Sequence, residues 1–228
     1  MITSDRLARL GSGVFDRNDR RKSAYFDSEW QQHQPLIDLS LGSTDLAPPV
    51  AAVKAMAEVL EQPSSASYCL HAGTQSFRRA AAAWVQQRFG VHVDAETEVL
   101  LLVGSQEGTA HLPLAVLDPG DSALMLDPSY PSHRGGLELA DADIHTLPLT
   151  AEQDWAPDFD ALSADQWQQL HLMVLGFPHN PTARTGEQAW LDEAMHRSVQ
   201  HDLVLAHDNP YVDLALEGDA PSLLRCPH

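Results

Sequence analysis

Leu172-Met173-Val174-Leu175-Gly176-Phe177 and Leu203-Val204-Leu205-Ala206-His207 are two continuous apolar runs on either side of the amphipathic stretch 187–200. Runs of this length with no polar alternation read as strands buried on both faces, and the stretch between them reads as a helix. The same alternation extends upstream. Residues 98–103 read as a buried strand and 104–117 as a helix. Asp118-Pro119-Gly120-Asp121 is a turn, followed by a strand over 123–126 and a short helix near 133–139. A strand over 143–147 and a helical segment beginning at 158–162 complete the series. Continuous apolar strands alternating with amphipathic helices predict an α/β fold, a mainly parallel sheet with helices on both faces.

Nearer the N-terminus the pattern is weaker. Residues 1 to 40 read as an irregular arm with a short helix, and the basic run from Arg17 to Lys22 falls within it. Leu39-Ser40-Leu41-Gly42-Ser43-Thr44-Asp45 reads as a short strand entering a turn. Pro48 and Pro49 suit the first turn of a helix carrying Val53, Met56, Ala57 and Leu60 on one face. Pro63-Ser64-Ser65-Ala66-Ser67 breaks that helix. The next carries Phe77, Ala81, Trp84 and Val85 and stops at Gly90.

Composition bounds the partners. The 228 residues include 14 basic and 32 acidic side chains, a formal charge of −18 with histidine neutral. Such a charge repels phosphate backbones and argues against nucleic acid or an anionic membrane as a partner. The expectation is an acidic, soluble, cytoplasmic protein. Any phosphate site must then be built locally from backbone N–H groups. Cys69 and Cys226 form neither a C-x-x-C pair nor a disulfide framework, which fits a reducing compartment. Met1-Ile2-Thr3-Ser4-Asp5-Arg6 lacks the apolar stretch of a signal peptide, and no run approaches membrane-spanning length. The 12 histidines are scattered without a metal-ligand spacing and read mostly as surface residues, so no metal site is expected.

In an open parallel sheet, ligands bind beyond the C-terminal ends of the strands. Here those ends carry Gly104-Ser105-Gln106, Tyr130, Asn180 and Asp208. N–H groups at the start of a helix favour an anion at Ser105 and Gln106, although Ser105 serves equally as an ordinary helix cap. Tyr130 offers a ring face to a planar ligand, or is a core tyrosine. Asn180 and Tyr211 offer hydrogen bonds to a ligand oxygen, although Asn180 before Pro181 is also a common turn residue. Asp208 suits a charge-assisted bond to a protonated ring nitrogen, or is a turn carboxylate. Singly these readings are weak, and together they describe a site for a flat, polar heteroaromatic ligand.

The motifs that carry these residues are Leu39-Ser40-Leu41-Gly42, Tyr68 with Gly73 and Phe77-Arg78, and Gly104-Ser105-Gln106-Glu107-Gly108. Leu117-Asp118-Pro119-Gly120-Asp121, Asp127-Pro128-Ser129-Tyr130-Pro131, His179-Asn180-Pro181-Thr182 and Asp208-Asn209-Pro210-Tyr211 follow in order. In this combination the chain, from Leu39 onward, resembles the class I/II pyridoxal-phosphate aminotransferases of fold type I. It looks closest to the branch holding diaminopimelate and aspartate aminotransferases. The resemblance implies a cofactor, pyridoxal 5′-phosphate, with Ser105 and Gln106 at its phosphate and Tyr130 stacked on its ring. It places Asn180 and Tyr211 on the phenolic oxygen and Asp208 on the ring nitrogen. It also implies that Tyr68 reaches the phosphate of a neighbouring subunit in a homodimer, and that Gly42 lets the backbone approach the substrate. The substrates implied are an amino acid and a 2-oxo acid. The implied domains are 1–47, an arm and part of a small domain, and 48–228, a large cofactor-binding domain that is incomplete.

Two departures bear on activity. Ala183 stands where the family usually has glycine after Asn-Pro-Thr. The family's Schiff-base lysine follows the Asp-x-x-Tyr segment at a distance this sequence does not reach, and the only lysines are Lys22 and Lys54, both far upstream. The resemblance therefore assigns no catalytic residue to this chain and implies that it is inactive alone. A carbon–sulfur lyase of the same fold, which also uses Pro178-His179-Asn180-Pro181, and a non-catalytic fragment are the competing readings. An incomplete large domain is also expected to leave apolar surface uncovered.

Overall fold

The computed structural model describes residues 4–10, 13–69 and 73–227. Met1 to Thr3 and His228, which the sequence reading of the two chain ends invokes, lie outside them. The chain divides into two compact units, Met1–Gly11 with Gln75–His228, and Ser12–Thr74.

The larger unit is built on four parallel strands: β1 (Ser122–Asp127), β2 (Asp143–Pro148), β3 (Leu170–Gly176) and β4 (Val204–Asp208). Their order across the sheet is β2-β1-β3-β4, so the two most apolar strands lie in the centre. The strand period of two then sorts the core into two layers. Leu124, Leu126, Met173 and Leu175 face one side, where Trp167 and Leu191 pack on them. Ala123, Met125, Leu172 and Val174 face the other, where Leu137 and Leu117 complete the layer. Each fully buried Leu or Met of this kind contributes about 1.5–3 kcal/mol relative to exposure.

The covering helices are α5 (Ser105–Val116) and α6 (Pro131–Leu139) on one face, α7 (Ala164–Gln169) and α8 (Gln188–His201) on the other, and all but α7 lie where the sequence reading puts them. Preceding them in the chain are α1 (Asp5–Leu10), α2 (Val14–Phe26), α3 (Val50–Leu60) and α4 (Gln75–Phe89). α7 starts on a capping box in which the Ser163 hydroxyl accepts from the Gln166 N–H while the Gln166 side chain accepts from the Ser163 N–H. The segment expected to be helical from 158 is a 3-10 turn, Phe159–Ala161, ahead of this helix. α5 and α6 meet closely. A Cβ on Gly136 would stand 2.3 Å from the Thr109 carbonyl oxygen, and the Thr109 hydroxyl donates to Ser132 at 2.8 Å.

Three further expectations fail. Residues 98–103 form no strand and pair with none among the described residues, and they are not buried: Leu100 is 66% and Val103 92% exposed. An apolar run specifies a preference for burial, whereas a strand requires a neighbouring edge to bond to, and none of the described residues supplies one beside it. Residues 39–45 likewise form no strand. The N-terminal arm is more ordered than expected, with the Arg17–Lys22 run inside α2, where Arg20 pairs with Asp16 and Lys22 with Asp19. In the 12–74 unit α3 forms as predicted, but its apolar side chains, Val53 and Met56 among them, are exposed.

Candidate functional site

Because all four strands run the same way, the ends of β1, β3 and β4 reach the same edge of the sheet. β1 delivers the loop to Tyr130, β3 the loop Pro178-His179-Asn180, and β4 ends on Asp208 with Tyr211 three residues on. The first turn of α5 brings Ser105 and Gln106 to the same place. A cavity of about 330 Å³ lies between them, lined by Ser105, Gln106, Tyr130, Asn180, Asp208 and Tyr211 among others. Six of the eight residues singled out by sequence thus share one pocket. Its volume falls at the lower end of the ordinary range for small-molecule sites, about 300–1,000 Å³.

The polar groups are already organised. Asn180 Nδ2 donates to the Tyr211 hydroxyl at 3.1 Å, which joins amide and phenol side by side in the cavity wall. Gly104, at φ 78° in the left-handed region, occupies the cap position of α5. Ser105 is therefore the first helical residue rather than the cap, and its N–H is among those left without an intrahelical partner. Tyr130 is the residue before α6, with its ring edge-on to His133 at 6.3 Å between centroids.

Two histidines are exceptions to the reading of these residues as mostly surface. His133 is only 4% exposed, and its Nε2 lies 2.9 Å from Asp208 Oδ2. One carboxylate oxygen is thereby held, and the carboxylate is fixed in the cavity wall. A signal existed in the sequence: three residues after Tyr130 in a helix beginning at Pro131, residue 133 falls on the same face. His179 is buried with Nδ1 2.8 Å from the Thr182 hydroxyl. Burial pushes its ring below the ordinary histidine range, against the opposing pull of the Pro128 carbonyl, and its Nε2 makes no well-formed hydrogen bond. Beside the site, His207 bonds the Phe177 carbonyl at 2.9 Å, tying β4 to the end of β3, and burial pushes it down to about 4.

Gly42 and Tyr68 belong to the 12–74 unit, where both are exposed, Tyr68 at 95%. They are not among the residues lining the cavity. Ala183 keeps the backbone of a glycine position, at φ 60°, in a turn closed by His179 N–H to Arg184 carbonyl and Ala183 N–H to His179 carbonyl bonds, each 2.8 Å.

The sequence model of the family described as aminotransferase class I and II matches residues 34–226. This chain belongs to that family. Among relatives, the LL-diaminopimelate aminotransferase of Nitratidesulfovibrio vulgaris (strain DP4) is 33% identical over 226 residues, 98% of this chain and 57% of its own. The glutamate-pyruvate aminotransferase AlaC of Escherichia coli (strain K12) is 33% identical over 97% of this chain and 53% of its own. A probable N-succinyldiaminopimelate aminotransferase from Thermus thermophilus is 40% identical in structure-based alignment, with a TM-score of 0.86 over 94% of this chain and 57% of that one. The chain spans a little over half the length of the relatives it matches. Class I and II aminotransferases depend on pyridoxal phosphate, act on amino and 2-oxo acids and are typically dimers. The fold expectation, a fold type I large domain with a parallel sheet, is met. No helix among the described residues is long and apolar enough to cross a membrane, and no cluster of three or more potential metal ligands is found among them.

The donor set fits the cofactor. A pinned carboxylate, an amide–phenol pair, a ring face and a helix start surround one cavity. These are complements for a ring nitrogen, a phenolic oxygen, a π-face and a phosphate.

Proposed function

We propose that this chain forms the pyridoxal-phosphate-binding part of an aminotransferase acting on amino acid and 2-oxo acid pairs of the diaminopimelate or aspartate kind. The observation that carries the reading is the convergence of Asp208, Asn180, Tyr211, Tyr130 and the start of α5 on one cavity. Asp208, with one oxygen held by His133, presents the other to the protonated ring nitrogen. Asn180 and Tyr211 donate to the phenolic oxygen. The free N–H groups of Ser105 and Gln106 take the phosphate, and supply locally the attraction that a charge of −18 denies. Tyr130 covers one ring face. When bound, pyridoxal phosphate supplies a conjugated ring that draws electrons from the substrate's α-carbon.

The finer assignments rest on the family pattern. Tyr68 serves the phosphate of a partner subunit in a dimer, Gly42 lies by the substrate, and 48–228 is the cofactor-binding domain with 1–47 an arm and small-domain part. The protein works in the cytoplasm. Amino transfer also requires an amine to hold the cofactor and a base to move a proton. Lys22 is engaged by Asp19 and Asp38, whose hydrogen bonds raise its pKa, and Lys54 is exposed on α3. The chain by itself therefore binds the cofactor without turning over.

Pyridoxamine 5′-phosphate tests this without nonspecific capture by surface amines, because it lacks the aldehyde. Its fluorescence should report one saturable site, competed poorly by pyridoxamine lacking the phosphate. No exchange should occur between aspartate and 2-oxoglutarate. Absence of saturable binding overturns the site, and a robust exchange rate overturns the claim of inactivity.

A further inference from the structure

Gly176 ends β3 and pairs in register with Asp208 of β4. A Cβ built at Gly176 would stand 3.2 Å from His133 Cε1, 3.5 Å from the Asp208 carbonyl oxygen and 4.0 Å from His133 Nε2. The first of these is tighter than nine in ten real Cβ contacts, so the imidazole would have to give way by a few tenths of an ångström. It has little room to do so. His133 sits in the first turn of α6 with its N–H bonded to the Tyr130 carbonyl, and its neighbour Ser132 accepts from Thr109 of α5. Behind it, Gly136 presses α6 against the α5 backbone.

We infer that Gly176 is a positioning residue: its missing side chain leaves the slot in which His133 lies against Asp208 and aims the free carboxylate oxygen into the cavity. The inference rests on the cofactor reading above and names a residue that acts through two others. Glycine inside a strand is a conformational cost, tolerated where something must approach closely. The backbone at 176 is not in the left-handed region, so alanine is permitted there and narrows the unfolded ensemble. A merely structural glycine would make G176A neutral or stabilising with unchanged binding. A positioning glycine makes stability and binding move apart.

The test is a double-mutant cycle on the full chain with pyridoxamine 5′-phosphate, using G176A, H133A and the double variant. Melting temperature and ligand-nitrogen NMR are read beside affinity. G176A should remain folded with its melting temperature within a few degrees of the parent, yet bind about three- to tenfold more weakly, as expected when a bond to a charged group is misdirected. The ¹⁵N shift of the labelled ring nitrogen should move toward the unprotonated form. In the H133A background the Cβ occupies the space the imidazole left, so adding G176A should change affinity less than twofold. Equal binding by G176A and parent, or fully additive losses in the cycle, overturns the inference while leaving the cofactor site standing. Failure of the parent to bind at all sinks the cofactor reading instead. Should G176A not fold, the double variant against H133A decides: recovery of folding and of the H133A affinity supports the inference, and a double variant that does not recover overturns it.

Discussion

At the residue scale, Asp208 and Ala183 make the clearest claims. Asp208 is a carboxylate of the cavity wall held by a buried histidine, so D208N keeps the shape and removes the charge-assisted bond. Affinity for pyridoxamine phosphate should fall about tenfold or more, measured by the same fluorescence titration. Ala183 at φ 60° carries a Cβ in a conformation that costs an L-residue about 1 kcal/mol. A183G should therefore stabilise the chain by about that amount, raising the melting temperature by about 2–4 °C. An unchanged or lower value would show the turn to be unstrained. The cavity-lining residues Tyr130, Asn180, Asp208 and Tyr211 stood out in the sequence because each follows a continuous apolar run, the pattern of a strand buried on both faces. His133 was legible only in part: its spacing from Tyr130 places it on the same face, but its contact with Asp208 joins residues 75 apart in the chain and leaves no local pattern.

At the element scale, His207 joins β4 to the end of β3 as an unprotonated ring, pushed down to about 4 by burial from the ordinary 6.5. In the unfolded chain the ring takes up its proton first as pH falls. Its contribution to stability is thus complete above about pH 6.5 and is lost as pH drops toward 4. Urea midpoints at pH 7 and 4.5 should fall less steeply in H207Q than in the parent, and parallel slopes would contradict this. G136A should push α6 from α5, at a cost of about 1–3 kcal/mol for backbone overlap, read as a lower urea midpoint. β1, β3 and α8 were legible to within a residue or two, since their burial is satisfied inside this chain. Residues 98–103 were misread for the opposite reason: pairing is a property of two segments, and periodicity reports only one.

At the scale of the whole molecule, apolar surface is open in several places. The α3 side chains Val50 and Leu60 are each 69% exposed, and Leu216 fully so. A cleft of about 740 Å³ between α5 and β4 is walled by Leu102, Leu112, Val174 and Ala206. Isolated monomers rarely carry such patches uncovered. The purified chain should accordingly self-associate at micromolar concentration and bind a hydrophobic dye, as light scattering coupled to gel filtration and dye fluorescence will report. A dye-silent monomer would contradict the expectation. The central claim nevertheless concerns the pocket, and the structure of the chain with pyridoxamine 5′-phosphate tests it most directly. The phosphate should rest on the Ser105 and Gln106 N–H groups, the phenolic oxygen between Asn180 and Tyr211, and the ring nitrogen within hydrogen-bond reach of Asp208. A ligand bound elsewhere, or seated with its ring nitrogen turned away from Asp208, would contradict it.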